Sequence, residues 1–276
     1  MKVCVNMYPE LSLPIGESLY VFKTYQLFMY LSIIIGITLS YQSLKKTIKN
    51  PFMFLLGLVL SFIIGARFFN FIVNIEAYES KRISLFEFKA IGFSFYGGII
   101  ASIIYLILLN RKHTFNLWQV TDTMILPFGF SFFIMRIGCF LNGCCYGTAT
   151  TCIFGVSLPE DTFPSILRVF SSSLKIHPTQ LYEGFGALFG VILLLLFRKH
   201  IRIKGQRTLY YGIYLTGLRF FVLDFRDLNY KPWVINIFYP TLYLTLMTMG
   251  FYLLYRLKKN NEIESFNPSV TILDNI

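Results

Sequence analysis

The chain has 276 residues, of which 55% are hydrophobic and 18% aromatic, while only 14% are charged. Soluble domains carry roughly 25% charged residues, so this composition excludes an ordinary soluble protein and predicts an integral membrane protein. The formal net charge is +11, which we attribute to basic loops facing anionic lipid rather than to a nucleic-acid-binding surface.

Seven apolar stretches approach or exceed the roughly 17–25 residues that a helix needs to cross a bilayer. In chain order they cover residues 21–41, 52–73, 91–109, 121–141, 180–197, 209–225 and 235–255. The sixth fits this criterion least well. The sequence lacks the regular alternation of polar and apolar residues that would favour a barrel. The sequence therefore predicts an all-α polytopic membrane protein, with seven transmembrane helices in a domain over residues 1–259 and a polar tail over residues 260–276.

The orientation of the chain follows from its basic loops. The loops after the odd-numbered helices carry thirteen Lys and Arg residues, against nine on the opposite side. Basic residues collect on the cytoplasmic side of membrane proteins. The first stretch lacks a small-residue cleavage pattern, so we expect it to be retained. The N-terminus is therefore expected outside, and the C-terminus in the cytoplasm.

Three arginines, Arg67, Arg136 and Arg219, lie inside predicted helices, and this orientation places all three in the outer half of the membrane. A guanidinium group in hydrocarbon needs a partner or a function. Each could reach the outer headgroups on its own. Alternatively, the three could share a cavity that binds a phospholipid headgroup, because the planar guanidinium fork matches phosphate.

Further polar or small residues fall on the same side. Gly97 and Gly98 follow Tyr96 at the head of the third helix, where paired glycines allow close helix packing or close approach of a ligand. The segment from His177 leads into the fifth helix. Its Thr179 could cap that helix, and Glu183, one turn inside an apolar stretch, is expected to have a function.

Four cysteines lie close together at the outer end of the fourth helix: Cys139, Cys144, Cys145 and Cys152. Their spacing, C-x4-C-C-x6-C, matches no common metal-binding motif, so we predict neither a metal nor a cofactor. Free thiols, one or two disulfides, and metal or redox chemistry remain as alternatives for these residues.

The motifs, taken together, resemble the prolipoprotein diacylglyceryl transferase family over most of the chain. They are G-A-R at 65–67, Y-G-G at 96–98, R-I-G-C-F-L-N-G-C-C-Y-G at 136–147, H-P-T-Q-L-Y-E-G at 177–184, and G-L-R-F at 217–220 with Asp224 and Arg226. The resemblance implies a multi-pass enzyme of the bacterial plasma (inner) membrane, with its active site toward the outer leaflet. Such an enzyme moves the diacylglyceryl group of phosphatidylglycerol to the lipobox cysteine of preprolipoprotein signal peptides, forming a thioether.

The resemblance also implies roles for individual residues. Arg136 and Arg219 match family arginines tied to activity, and together with Tyr96 and Asp224 they are the predicted catalytic residues. The predicted substrate-binding residues are Arg67, Gly97, Gly98, Asn142, Gly147, His177 and Glu183. This chain has Tyr96 where the family has a histidine, Cys139 where it has an asparagine, and Cys144 and Asp224 where it has glutamates. Asp224, Tyr96 or Glu183 could accept the proton. The alternative function is a non-catalytic lipid-binding relative, or a transferase that uses a different acceptor.

Overall fold

Seven long helices dominate the part of the chain that the structure describes. The computed structural model describes residues 10–15, 18–73, 75–79, 95–112, 115–157, 175–228 and 231–266. The long helices are α1 (Thr24–Leu44), α2 (Pro51–Val73), α4 (Phe95–Lys112), α5 (Leu117–Leu141), α6 (Thr179–Leu196), α7 (Gln206–Leu223) and α8 (Tyr239–Phe266). A short helix, α3 (Ile75–Glu79), follows α2, and a π-helical turn, Val234–Phe238, leads into α8.

Five of the described helices are long and apolar enough to cross a membrane, so the chain is a multi-pass membrane protein. They are α1, α2, α5, α6 and the continuous π-turn and α8 segment. The apolar part of α4 is shorter, Gly97–Arg111. Helix α7 carries Gln206, Arg207 and Arg219, which lower its apolar content. The count of seven spans and the sides of the two termini remain predictions.

The chain forms two compact units, of which the second comprises Ile37–Met124. Within it, α2 and α4 pack closely at glycines. A Cβ added to Gly97 would lie 2.2 Å from the Cβ of Phe69 and 2.4 Å from the carbonyl oxygen of Gly65. A Cβ on Gly98 would lie 2.6 Å from the ring of Phe62. This geometry supports the helix-packing alternative for the paired glycines, because any larger side chain would force the helices apart.

The first unit comprises Met1–Gly36 and Ile125–Ile276. In this unit α7 is joined to α6 by hydrogen bonds from two tyrosines. Tyr211 donates its hydroxyl to the Ala187 carbonyl at 3.1 Å, and Tyr214 donates to the Gly186 carbonyl at 2.8 Å. Tyr211 is buried beside Val191 and Leu194 of α6. These contacts fix the rotation of α7 against α6, and therefore the direction in which its other side chains point.

Short strands add to the helical framework, so the all-α description applies only to the long elements. Strands β1 (Glu10–Ile15) and β2 (Ser18–Lys23) pair antiparallel, with Leu11 opposite Phe22. The prediction that residues 21–23 begin the first helix is therefore wrong. The segment Ser18–Lys23 contains Tyr20, Val21 and Phe22 in succession, and aromatic and β-branched residues of this kind favour a strand. A second sheet has the order β3 (Ala149–Thr150), β5 (Lys175–Ile176), β4 (Val156–Ser157).

The expected boundary between domain and tail at 259/260 lies within a continuous helix, because α8 extends to Phe266. Residues 267–276 lie outside the described residues.

Candidate functional site

The carboxylate of Glu183 is the centre of an ion-pair cluster in the first unit. Helix α6 begins at Thr179, so Glu183 lies one turn inside it and is only 2% exposed. Its Oε2 is in ion-pair contact with Nη2 of Arg136, on α5. Its Oε1 accepts a hydrogen bond from Nη1 of Arg226 at 3.2 Å and lies 3.7 Å from Nη1 of Arg219, on α7.

The cluster has three guanidinium groups and one carboxylate, so it carries a formal excess of two positive charges. The side chains of Arg136, Arg226 and Arg219 are 8%, 18% and 30% exposed. The buried Nε atoms of Arg136 and Arg226 have no hydrogen-bond partner among the described residues. Buried donors are normally paired. The positive excess and the unpaired donors together make the cluster suitable for binding an anion.

Arg136 is held by its own helix as well as by Glu183. Its guanidinium carbon lies 4.8 Å from the ring centre of Phe132, one turn earlier on α5. A cation over an aromatic face is attracted by the negative π surface. The ring and the carboxylate therefore fix the direction of this guanidinium group from two sides.

The turn that follows α5 is fastened to the start of α6. Gln180 donates its Nε2 to the Cys144 carbonyl at 2.6 Å, and Thr179 donates its hydroxyl to the Cys145 carbonyl at 2.8 Å. Thr179 therefore does not cap α6, since Pro178 occupies the N-cap position. Cys145 has φ of 63°. This left-handed backbone conformation is strained for a residue that has a side chain.

Gly147 and His177 connect the same region to the end of α7 through hydrogen bonds and ring packing. The amide of Gly147 donates to the His177 carbonyl at 2.9 Å, and Gly147 pairs with Arg226 in an antiparallel bridge. A Cβ on Gly147 would lie 2.2 Å from the carbonyl oxygen of Phe225. The His177 ring packs on Phe225, with its Nδ1 3.1 Å from the hydroxyl of Tyr182. Gly147 and His177 therefore hold together the elements that carry Arg136, Glu183 and Arg226.

The described cysteines are all free thiols. The sulfur atoms of Cys139, Cys144 and Cys145 lie within 4.8 Å of one another, and Cys152 is not part of this group. The thiols of Cys139 and Cys144, with the guanidinium charges of Arg136 and Arg226, hold the pKa of the Cys145 thiol well below its ordinary value. The Cys144 thiol donates to the Cys139 carbonyl at 3.5 Å, and Asn142 lies between these two residues in the turn after α5. The fifth cysteine, Cys4, lies outside the described residues.

Asp224, Arg67 and Tyr96 were also predicted as site residues. Asp224 directly follows α7 and is exposed, with no ion pair to any residue that the structure describes. Arg67 belongs to the second unit, where its guanidinium lies 5.8 Å from the ring centre of Tyr78. The side chain of Tyr96 lies outside the described part. Their roles in substrate binding and catalysis stay predictions.

Sequence reasoning did not select Arg226 as a site residue. Its presence in the same motif as Asp224 was the available signal, but its contact with Glu183 depends on the turn after α7. The contact between Glu183 and Arg136 also joins two separate helices, so spacing along the chain could not reveal it.

A separate cavity of about 330 Å³ lies in the same unit, between α6 and α7. Its lining is aromatic and aliphatic and includes Gly190, Leu194, Phe197 and Tyr214. Leu194 is eleven residues beyond Glu183, or about 16 Å along a helix. This cavity is therefore distinct from the ion-pair cluster.

Comparison with known proteins identifies relatives over most of the chain. The model of the prolipoprotein diacylglyceryl transferase family matches residues 16–256. The phosphatidylglycerol–prolipoprotein diacylglyceryl transferase of Rickettsia canadensis (strain McKiel) is 32% identical over 198 residues, covering 67% of this chain and 72% of the relative. The enzyme of the same name from Clostridioides difficile (strain 630) is 30% identical over 165 residues, covering 59% and 61%. That from Wolbachia sp. subsp. Drosophila simulans (strain wRi) is 30% identical over 217 residues, covering 73% and 78%.

Proposed function

Since the chain belongs to the prolipoprotein diacylglyceryl transferase family, we propose that it transfers the diacylglyceryl group of phosphatidylglycerol to the lipobox cysteine of preprolipoproteins. The cysteine sulfur attacks a glyceryl carbon, the bond from that carbon to the phosphate oxygen breaks, and glycerol phosphate leaves with the electron pair. The thiol loses its proton. We place this reaction at the outer leaflet of the bacterial plasma membrane.

The observation that carries this proposal is the group of three guanidinium groups around the buried Glu183. Negative charge builds up on the departing phosphate as the carbon–oxygen bond breaks. Preorganised cations at that position stabilise the transition state more than the ground state. A cluster with an excess of two positive charges and unpaired Nε donors meets this requirement, whereas a fully neutralised cluster would not.

The three arginines are suited to different parts of this task. Arg219 is the most exposed of the three and makes the longest contact with Glu183, so it can turn toward a phosphate oxygen at the smallest loss of existing contacts. Arg136 is the most buried and is held by two partners. We assign Arg136 to a fixed position against the phosphate, and Glu183 to orienting the guanidinium groups rather than to binding the lipid directly.

The proton acceptor is a separate question. Glu183 is occupied by three arginines, which favours Asp224 or Tyr96 for proton transfer in this proposal. Asp224 is exposed, and it follows the helix that carries Arg219, so a substrate thiol bound near the membrane surface could reach it. Asp224→Asn and Tyr96→Phe variants separate the two, because only the variant that lacks the proton acceptor should lose most of its turnover.

The direct test uses purified full-length protein, phosphatidylglycerol and a synthetic lipobox peptide. We expect release of glycerol phosphate and addition of one diacylglyceryl mass at the peptide cysteine, measured by mass spectrometry. A peptide with serine at that position should not react, because a hydroxyl is a far weaker nucleophile at neutral pH. If no thiol peptide is modified while a relative with known activity works in parallel, the chain is a lipid-binding relative or uses another acceptor.

A further inference from the structure

The three-thiol group formed by Cys139, Cys144 and Cys145 has the chemistry of a metal site. Its sulfur atoms lie within 4.8 Å of one another. Tetrahedral zinc with sulfur ligands at about 2.3 Å requires sulfur atoms about 3.8 Å apart. The thiols therefore need to move by only about 1 Å to close around an ion. Spacing along the chain did not indicate this, because the turn after α5 brings together ligands that match no common motif.

The backbone around these thiols is already fixed in place. The carbonyls of Cys144 and Cys145 are held by Gln180 and Thr179 of α6, and Cys139 belongs to the last turn of α5. Cys145 keeps a side chain at φ of 63°, where glycine would be less strained. Strained residues of this kind persist where surrounding contacts hold them, often at functional sites. A preorganised backbone lowers the entropic cost of bringing three ligands to one ion.

A second observation concerns Gln180 of α6, which holds the same turn through its side chain. Gln180 is 1% exposed, and it uses its Nε2 for the Cys144 carbonyl. Its Oε1 has no hydrogen-bond partner among the described residues. A buried amide oxygen normally accepts a hydrogen bond. Gln180 therefore keeps a free acceptor for a donor group that binds near this turn.

We propose that Cys139, Cys144 and Cys145 hold a zinc ion whose fourth position is open to the lipobox thiol of the acceptor. This inference rests on the proposed function and deepens it. Three protein ligands with one open position are the arrangement of catalytic zinc sites. A thiol that coordinates such an ion is deprotonated outright, so the metal provides the thiolate that alkylation at carbon requires.

The atoms and charges of this step balance. Zinc binding releases three protons from the protein thiols, and binding of the acceptor thiol releases a fourth, which passes to the proton acceptor of the proposed function, Asp224 or Tyr96. The zinc-bound sulfur then attacks the glyceryl carbon, and glycerol phosphate leaves. No oxidant or reductant is needed. The thioether product is neutral and a weaker ligand than a thiolate, so it dissociates. Four thiolates with Zn²⁺ carry a formal charge of minus two, which is opposite in sign to the excess positive charge of the Glu183 cluster. Arg136, a member of that cluster, lies one turn before Cys139 on α5.

The test is metal analysis of the full chain purified in detergent under reducing conditions, followed by replacement of zinc with Co²⁺. We expect about one zinc per chain. Zinc affinity should fall by more than about tenfold in Cys144→Ser and in Cys145→Gly, and it should be unchanged in Cys152→Ser, the matched control outside the group. Cys145→Gly removes a ligand and relieves the strained φ, so the fold should be preserved. The buried Cys139 is left unchanged because its replacement could prevent folding.

The cobalt form shows whether the fourth position takes the acceptor. A lipobox peptide should shift the visible cobalt absorption and strengthen the thiolate-to-cobalt band, while the serine peptide should not. Absence of zinc in wild-type protein, or equal zinc in the Cys144→Ser and wild-type proteins, would overturn the site. A cobalt spectrum unchanged by the cysteine peptide, or full transfer by verified metal-free protein, would overturn its role. Zinc binding and a cobalt response without any lipid transfer would support this inference and reject the proposed function.

Discussion

Replacing Glu183 with glutamine should strongly destabilise the protein, because it leaves three arginines around an uncharged group. Breaking a buried ion pair from one side costs about 3–5 kcal/mol. Arg219 and Arg226 are 30% and 18% exposed, so water screens much of their contribution to the cost of removing the carboxylate charge. Arg136, at 8% exposed, accounts for most of the remainder. We therefore expect a loss of about 3 kcal/mol, which corresponds to a fall in Tm of roughly 6–12 °C.

The assay is thermal unfolding of the purified protein in detergent, followed by intrinsic fluorescence. Glu79→Gln is the matched control, because Glu79 is an exposed carboxylate on α3, and its replacement should change stability by less than about 0.5 kcal/mol. Glycerol phosphate should raise the Tm of Glu183→Gln more than that of wild type, because the anion takes the place of the lost carboxylate.

A double-mutant cycle makes this prediction sharper. If Glu183 and Arg136 depend on each other, the double variant Glu183→Gln with Arg136→Gln should lose less stability than the sum of the two single variants. The coupling should be at least about 1 kcal/mol. Additive losses, or a Tm for Glu183→Gln as high as that of Glu79→Gln, would refute the reasoning that the buried carboxylate organises the cluster.

The remaining predictions concern turnover, packing and topology. Arg136→Lys should lower kcat by roughly 100-fold, because an ammonium group loses the two-pronged contact with phosphate; Arg67→Lys should be milder, and equal losses would contradict this assignment. Asp224→Asn should lower kcat by about 100-fold if Asp224 accepts the proton, and a near-normal kcat would direct attention to Tyr96. Gly147→Ala should lower the Tm, since its Cβ would clash with a backbone carbonyl 2.2 Å away; an unchanged Tm would show that this junction can relax. A reporter that is active only outside the membrane should be silent when fused after Lys204, and activity there would reverse the predicted orientation.

The helical framework could be predicted from the sequence because apolar runs of about 20 residues have few other solutions in a membrane. The predicted second helix, residues 52–73, differs from α2 (Pro51–Val73) by one residue. The start of α1 was less predictable. Residues 21–23 continue the apolar run but pair with β1 instead, and this pairing depends on a partner strand that hydrophobicity does not reveal.

The candidate site was predictable in its residue types but not in its connections. A carboxylate at Glu183 and an arginine at Arg136 are both unusual inside apolar helices, so each could be marked without a structure. Their contact, and the addition of Arg226, require the packing of α5 and α6 and the turn after α7. The density of cysteines was visible in the sequence. The meeting of three sulfur atoms depends on the left-handed turn at Cys145.

The tyrosine hydrogen bonds between α6 and α7 have a consequence for biogenesis. Helix α7 is the long helix least suited to enter lipid alone, since it contains Gln206, Arg207 and Arg219. Its Tyr211 and Tyr214 hydroxyls find acceptors on α6, which is synthesised just before it. If α7 spans the membrane as predicted, it can therefore associate with α6 during translation, and the two helices can enter the bilayer as a hairpin. Weakening these hydrogen bonds would then reduce the yield of inserted protein before it affected the stability of molecules that had already folded.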